Sequence, residues 1–407
     1  MTEPSCRLCG ARLHRTLLDL GEMPLGNRTI AADASNDRPY RLRVLICDEC
    51  TLVQTPDVAE PAVIAAPRPY LSSRSIAAVT QARRHADAMR RRLRLGPDSL
   101  VIEVGSNDGI LLRHFQASGV RVLGIEPAPT AAAAAAAIGV PTVVSPFNTA
   151  TAMDVAVRYG CADLVVAKNV LQHAPDLFDF AAALSSILRP NGVLVLQVPH
   201  LLSLVQKTQF DAFRHDSYSY LSLRVLEHVL RSVGLRVFDA ERVSDHAGSL
   251  RVRACHAVAP HAARPGLKAV RLAEIPSGAE PEDLYAGFAE RVGTARNELR
   301  DFLNTRRLAG RRVTAYGAAT RGCTLLNFCK LTTREITCVI DPDPAKHGRL
   351  MPGSRIPIVP FEAVMASPPD DIVILPWPNI VEIGLKLTPL RQKGVQFWIP
   401  VPRLVRV

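Results

Sequence analysis

The stretch VIEVGSNDGILL, residues 101–112, decides the fold of this chain. An apolar run carrying one acid, Glu103, breaks at a loop in which Gly105 and Gly109 flank Asn107, and the amphipathic segment ILLRHFQASG follows. Strand, glycine turn and helix in that order open a βαβ unit, and the glycines let the backbone approach a ligand closely. Alone, such a loop serves a dinucleotide or only a tight turn. The next apolar run, VRVLGIE, ends on Glu126, 23 residues after Glu103, where a carboxylate accepts hydrogen bonds from both hydroxyls of a ribose. NAD and S-adenosylmethionine (SAM) sites share that contact. Glu103 on the preceding strand and the E-x-G-x-x-x-G spacing, which differs from G-x-G-x-x-G, favour SAM.

Working outward, ADLVVAKNV and GVLVLQVP continue the alternation of strands and helices, which predicts a parallel, doubly wound sheet. On the N-terminal side, Cys6, Cys9, Cys47 and Cys50 form C-x2-C-x37-C-x2-C within a small ribbon-like module with short strands such as Leu42 to Ile46. Four thiolates surround Zn²⁺ tetrahedrally and leave no position open for water, so the site reads as structural; a redox pair is the other use of this pattern. Cys161, Cys255, Cys323, Cys329 and Cys338 read as plain buried thiols. On the C-terminal side, PHAARPGLKAVRLAEIPSGAEPEDL reads as a connector, an amphipathic segment runs from Leu284 to Leu303, and RRVTAYGAATRG with EITCVID, DIVILPW and VQFWIPV predicts a second, smaller α/β unit. In AYGAATRG, Gly317 and Gly322 follow a strand and open a helix whose amides suit a diphosphate, with Arg321 adding charge. Asp341 ends the next strand and is placed for a ribose.

A chain of 407 residues with 48% hydrophobic residues exceeds what one core usually supports and is globular in composition. It holds no uncharged apolar run of about 18 residues, and MTEPSCRLCG lacks the basic, apolar pattern of a signal peptide, so a cytoplasmic protein without a membrane partner is expected. The net charge of +11 rests largely on scattered arginines. One cluster, Arg83, Arg84, Arg90, Arg91, Arg92 and Arg94, falls on a helix as a solvated face; with no RNA- or DNA-binding motif beside it, no nucleic-acid partner is expected, while an anionic small substrate suits a basic surface.

These motifs resemble the nucleotide-sugar C-methyltransferases that act on deoxysugars of antibiotic pathways. Besides the CxxC module and residues 101–112, the matching stretches are NVLQHAPDLFDF (169–180), QFDAFRHDSYSYLS (209–222), DHAGSLRV (245–252), YGAATRGCTLLNFC (316–329), IDPDPAKHGRLMPGSRIPI (340–358) and LPW (375–377). The resemblance implies a class I SAM-methyltransferase Rossmann-like domain over 66–260, flanked by a zinc-binding module over 1–65 and a Rossmann-like nucleotide-sugar-binding domain over 261–407, acting as a monomer. It implies methylation at C3 of a nucleotide-linked (dTDP-type) 4-keto-deoxysugar, where the ketone acidifies the C3–H, a base removes that proton and the enolate attacks the SAM methyl. Asn169 and His173 join the methyl-donor residues; His246, Arg251, Thr320 and Trp377 join Gly317, Arg321 and Asp341 as sugar-nucleotide contacts.

The chain also departs from the family. Where the family reads Tyr-His-Glu-His, with the second His as base, this chain has Arg214, His215, Asp216 and Ser217. Serine is no base near neutral pH without an activating partner. His215, Asp216, Ser217, Tyr218 and Tyr70 are therefore the catalytic candidates. Two other readings follow from the altered run: reduction of the 4-keto group by NADPH, alone or with methylation, with Tyr70 or Tyr218 as proton donor; and a non-catalytic nucleotide or SAM binder.

Overall fold

The structure, a computed structural model, describes residues 4–26, 28–31, 33, 37–58, 71–275 and 281–407. Strands β1 (Arg15–Pro24) and β2 (Pro39–Ile46) pair antiparallel, and β3 (Val53–Gln54) extends them. Each CxxC sits in a tight knuckle: the Gly10 amide donates to the Cys6 carbonyl at 2.8 Å, and that of Thr51 to Cys47 at 2.9 Å. The alternation along β2 splits its apolar residues between two cores. Leu42, Val44 and Ile46 share a core with Phe213 and Leu325, whereas Leu45 joins the core containing Leu177 and Leu221. Each such fully buried side chain contributes about 1.5–3 kcal/mol. The small module is thus held by both larger parts of the chain.

The central sheet comprises β4 (Leu100–Val104), β5 (Arg121–Ile125), β6 (Thr142–Val143), β7 (Ala162–Lys168) and β8 (Leu188–Pro199), then, after the two-residue β9 (Ser219–Tyr220), β10 (Leu235–Val243) and β11 (Ser249–His256). Its order is β10-β11-β8-β7-β4-β5-β6. Pairings from β6 through β8 are parallel, and β11 runs antiparallel to both its neighbours. This is the class I SAM-methyltransferase Rossmann-like arrangement. The strand order reverses between β4 and β7, and ligands of open α/β sheets bind beyond the strand ends at that point. β9 leaves this sheet: it pairs antiparallel with β3, Val53 against Tyr220 and Gln54 against Ser219.

The third sheet, β12 (Val313–Tyr316), β13 (Val339–Ile340), β14 (Ile358–Val359), β15 (Asp371–Ile374), β16 (Gln396–Ile399) and β17 (Val405–Arg406), has the order β14-β13-β12-β15-β16-β17 and is parallel except at β17. β12 leads through Gly317 into the helix Thr320–Phe328.

Three details differ from the sequence reading. The Pro-rich connector holds the helix Pro265–Glu274, because Pro265 suits the first helical turn and Leu267 and Val270 supply a buried stripe. The amphipathic segment begins at Phe288, after the left-handed Gly287, and runs to Leu308. Cys161 and Cys338 are partly exposed, whereas Cys255, Cys323 and Cys329 are buried.

Candidate active site and zinc centre

The sulfur atoms of Cys6, Cys9, Cys47 and Cys50 lie within 4.8 Å of one another, with Cys6–Cys50 and Cys9–Cys47 each at 3.5 Å. A tetrahedron with Zn–S bonds of 2.3 Å has edges of about 3.8 Å, so this donor set fits Zn²⁺. The Leu8 amide (3.4 Å) and the Gln54 side-chain amide (3.1 Å) point at the Cys6 sulfur. The neighbouring Cys50 thiol, with these donors, holds the Cys6 thiol below its ordinary value. Gln54 also accepts from the Arg7 amide at 3.0 Å, and the Arg7 guanidinium lies over the Tyr218 ring at 4.9 Å. One short path therefore links the sulfur cluster to the 214–220 segment.

At the end of β4, Gly105 has φ +69°, and a Cβ there would lie 2.2 Å from Val170 Cγ1. Only glycine fits this turn. Glu126 is buried; its two carboxylate oxygens accept from the amides of Asn107 and Ala128, both at 2.9 Å. Asn107 is left-handed, φ +50°, and its side chain accepts from the Ser72 amide at 2.9 Å. Glu103 is buried on β4, and burial pushes its carboxyl up to about 8 despite the opposing charge of Lys168. Burial likewise lowers the Lys168 ammonium. Asn169, at the end of β7, is left-handed at φ +56°, and its buried Oδ1 has no partner among the described residues. Glu103, Gly105, Asn107, Gly109, Glu126 and Asn169 are thus gathered where β4, β5 and β7 end.

His173 follows in the 3-10 turn Leu171–His173, and its Nδ1 donates to the Asp216 carbonyl. The segment after it is pinned by the zinc module: the Thr55 hydroxyl donates to the Ser217 carbonyl at 2.9 Å, and the Thr55 amide to the Tyr218 carbonyl at 3.1 Å. His215 is buried, and its Nε2 bonds the Tyr40 carbonyl at 3.1 Å. A carbonyl only accepts, so the proton sits on Nε2 and the Nδ1 lone pair is left available. Burial holds this imidazole down to about 4, hence neutral at pH 7. Arg214 donates to the Ser217 hydroxyl at 3.2 Å, pairs with Asp216 at 3.4 Å and reaches the Thr320 hydroxyl at 3.0 Å. Tyr70 lies outside the described residues. His246 falls in the 3-10 turn Asp245–Ala247, its side chain likewise outside the description.

On the third sheet, Gly317 has φ +95° and packs so tightly on Pro376 that a Cβ would approach to 2.5 Å. Asp341 accepts from the Ala318 amide at 2.8 Å and from Lys346 at 3.0 Å, which fixes the turn before the helix. Arg321 is engaged by Asp211 at 3.0 Å and Gln209 at 3.1 Å, and Trp377 Nε1 donates to the same Asp211 at 2.9 Å. Asp211 is fully buried in the 3-10 turn Phe210–Ala212, so Arg321 and Trp377, read in sequence as substrate contacts, also tie that turn to the third sheet's unit. Arg251 lies in a polar row across the central sheet, with Gln197 at 2.8 Å and Glu241 at 3.2 Å.

The C-methyltransferase NovU of Streptomyces niveus is 33% identical to this chain over 399 residues, 98% of this chain and 95% of that protein. The chain belongs to the C-methyltransferase family. Residues 244–402 match the family described as "C-methyltransferase C-terminal domain", residues 80–240 the "Methyltransferase domain" and residues 6–64 the "Putative zinc binding domain". The enzyme is a SAM-dependent C-methyltransferase. A ubiquinone biosynthesis O-methyltransferase of Methylobacterium sp. (strain 4-46) is 33% identical over 107 residues, 24% of this chain and 42% of that protein. Among solved structures, the Burkholderia thailandensis 1,6-didemethyltoxoflavin-N1-methyltransferase is 20% identical, covering 52% of this chain and 97% of its own, with a TM-score of 0.35. No helix among the described residues is long and apolar enough to cross a membrane.

Sequence reading overlooked Gln54, Thr55, Tyr40, Lys168 and Asp211. Only Asp211 carried a signal, an acid set among aromatics in QFDAF; the others act through partners far away in sequence.

Proposed function

We propose that the enzyme methylates C3 of a nucleotide-linked 4-keto-deoxysugar, dTDP-type, through an enolate, with His215 as the proton acceptor. The observation that carries the reading is the orientation of His215: Nε2 is spent on the Tyr40 carbonyl, which leaves the lone pair on Nδ1. Ser217 takes a hydrogen bond from Arg214 instead of acting as base. Such a base removes the C3 proton made acidic by the C4 ketone, and its orientation is fixed before substrate arrives. Bound SAM supplies the electrophilic methyl. Each oxygen of Glu126 keeps acceptor capacity beyond its one amide, enough for two ribose hydroxyls. Glu103, whose carboxyl burial raises in the empty site, would be drawn toward its ionised form by the positive charge of the bound methyl donor and would then offset that charge, and the Asn169 side chain offers an acceptor beside it.

Arg214 ties the 214–218 segment to Thr320 in the first turn of the helix Thr320–Phe328, whose amides and dipole favour a diphosphate. Gly317, Thr320 and Asp341 shape that turn. The zinc cluster is structural, since all its positions are filled by Cys. The test is deuterium exchange at C3 of a dTDP-4-keto-6-deoxyglucose probe in D₂O with S-adenosylhomocysteine (SAH) bound. His215→Ala is expected to lose exchange and Ser217→Ala to keep it; exchange persisting in His215→Ala removes His215 from the role.

A further inference from the structure

The arginine run at the end of the helix Ile76–Leu93 borders a cavity that methyl transfer does not use. It encloses about 580 Å³, within the range of small-molecule sites, and lies where β4 and β7 begin. The length of β4, roughly 16 Å, separates it from the Gly105 loop. Arg92, Arg94, Arg189, Arg253 and Arg264 line it together with Phe238.

Three of these guanidinium groups are answered by carboxylates. Arg92 and Arg253 share Asp239 Oδ2 at 2.8 and 2.9 Å, Arg253 also reaches Glu241 at 2.7 Å, and Arg189 pairs with Asp163 at 2.7 Å. Asp163 is further occupied by the Leu100 amide at 2.8 Å. Arg94 and Arg264 have no carboxylate partner among the described residues, and Glu241 is shared with Arg251, so at least two positive charges at the cavity are left unanswered. The Arg253 side chain is only 7% exposed, and its buried Nε donates to nothing among the described residues. Arg94 closes the helix in the left-handed conformation, φ 53° and ψ 42°, where glycine is the comfortable residue. An arginine kept at a left-handed backbone position on the cavity rim, where glycine would be less strained, points to a ligand rather than to stability. Phe238 stacks on His261 at 4.9 Å and 14°, giving the cavity an aromatic wall.

We infer that this cavity binds a small phosphate-bearing anion of at least two negative charges, a pyrophosphate group held by Arg94 and Arg264, with an attached planar ring packed on His261, which caps Phe238. The ligand is either a free pyrophosphate or a nucleoside diphosphate, which share the recognised group. The test titrates inorganic pyrophosphate and, separately, ADP into the zinc-loaded full chain with SAH saturating. Saturable binding of either, weakened at least tenfold in the Arg94→Gln/Arg264→Gln double variant, supports the site. Tighter binding of ADP than of pyrophosphate assigns the nucleoside form, and equal binding the inorganic one. Arg94→Gly provides a check independent of misfolding: it is expected to raise the thermal midpoint while weakening pyrophosphate. No saturable binding, or binding that the double variant and Arg94→Gly leave intact, overturns the inference.

Discussion

Replacing Gly105 by Ala tests the proposed methyl-donor loop at its most constrained point. Two costs add. The residue is left-handed at φ +69°, which costs a side-chain-bearing residue about 1–2 kcal/mol. The new Cβ would sit 2.2 Å from Val170 Cγ1, where ordinary contact begins at 3.4 Å, so the loop must yield by more than 1 Å. Overpacking of that kind costs about 1–3 kcal/mol. The expected loss is thus roughly 2–5 kcal/mol, expressed as looser loop structure and as SAH affinity lower by tenfold or more. Because Val170 directly follows Asn169, the displacement moves an acceptor of the same site. Gly105→Ala/Val170→Ala removes the clash but keeps the backbone strain, so the double-mutant cycle should show about 1–3 kcal/mol of favourable coupling. Calorimetric SAH titration of the four proteins, with thermal unfolding alongside, reads both effects. Wild-type stability and SAH affinity in Gly105→Ala, or strict additivity in the cycle, would refute the reasoning.

Three further outcomes are expected. Cys47→Ser should lose zinc by elemental analysis and speed amide exchange at Ser219 and Tyr220, since β9 is held by β3 of the zinc module; unchanged exchange in zinc-free protein separates the module from the site. His215, near 4 when folded against an ordinary value of about 6.5, binds fewer protons folded than unfolded, so its contribution to stability is complete above about pH 6.5 and declines by up to ~3 kcal/mol toward pH 4. His215→Gln should flatten that limb, and an unaltered profile would show that the imidazole is not buried. Asp211→Ala leaves Arg321 without its carboxylate and should cost about 3–5 kcal/mol, seen as a lower thermal midpoint, whereas a neutral substitution would deny its role in tying the turn to the third sheet's unit.

The sequence discloses what is local and hides what is distant. Gly105, Asn107 and Glu126 were legible because a turn, a left-handed residue and a strand-end acid lie within one βαβ unit and each restricts residue type. The cysteine pairs were legible from ligand spacing alone. The exchange of β9 into the zinc module's sheet was not, because two-residue strands have no periodicity and their partners stand more than 160 residues apart. The contact of Arg321 and Trp377 with Asp211 was hidden for a related reason: the arginine after the glycine turn and the acid it meets stand 110 residues apart. Arg214 and Ser217 were visible as departures, yet their mutual hydrogen bond required the fold.

The most direct measurement follows the methyl group itself. Incubating the zinc-loaded enzyme with SAM bearing a CD₃ methyl and dTDP-4-keto-6-deoxyglucose should give SAH and a sugar nucleotide in equal amounts, with CD₃ bonded to carbon at C3 by NMR. Label on oxygen, label at another carbon, or substrate returned unchanged while SAM stays intact would contradict the account.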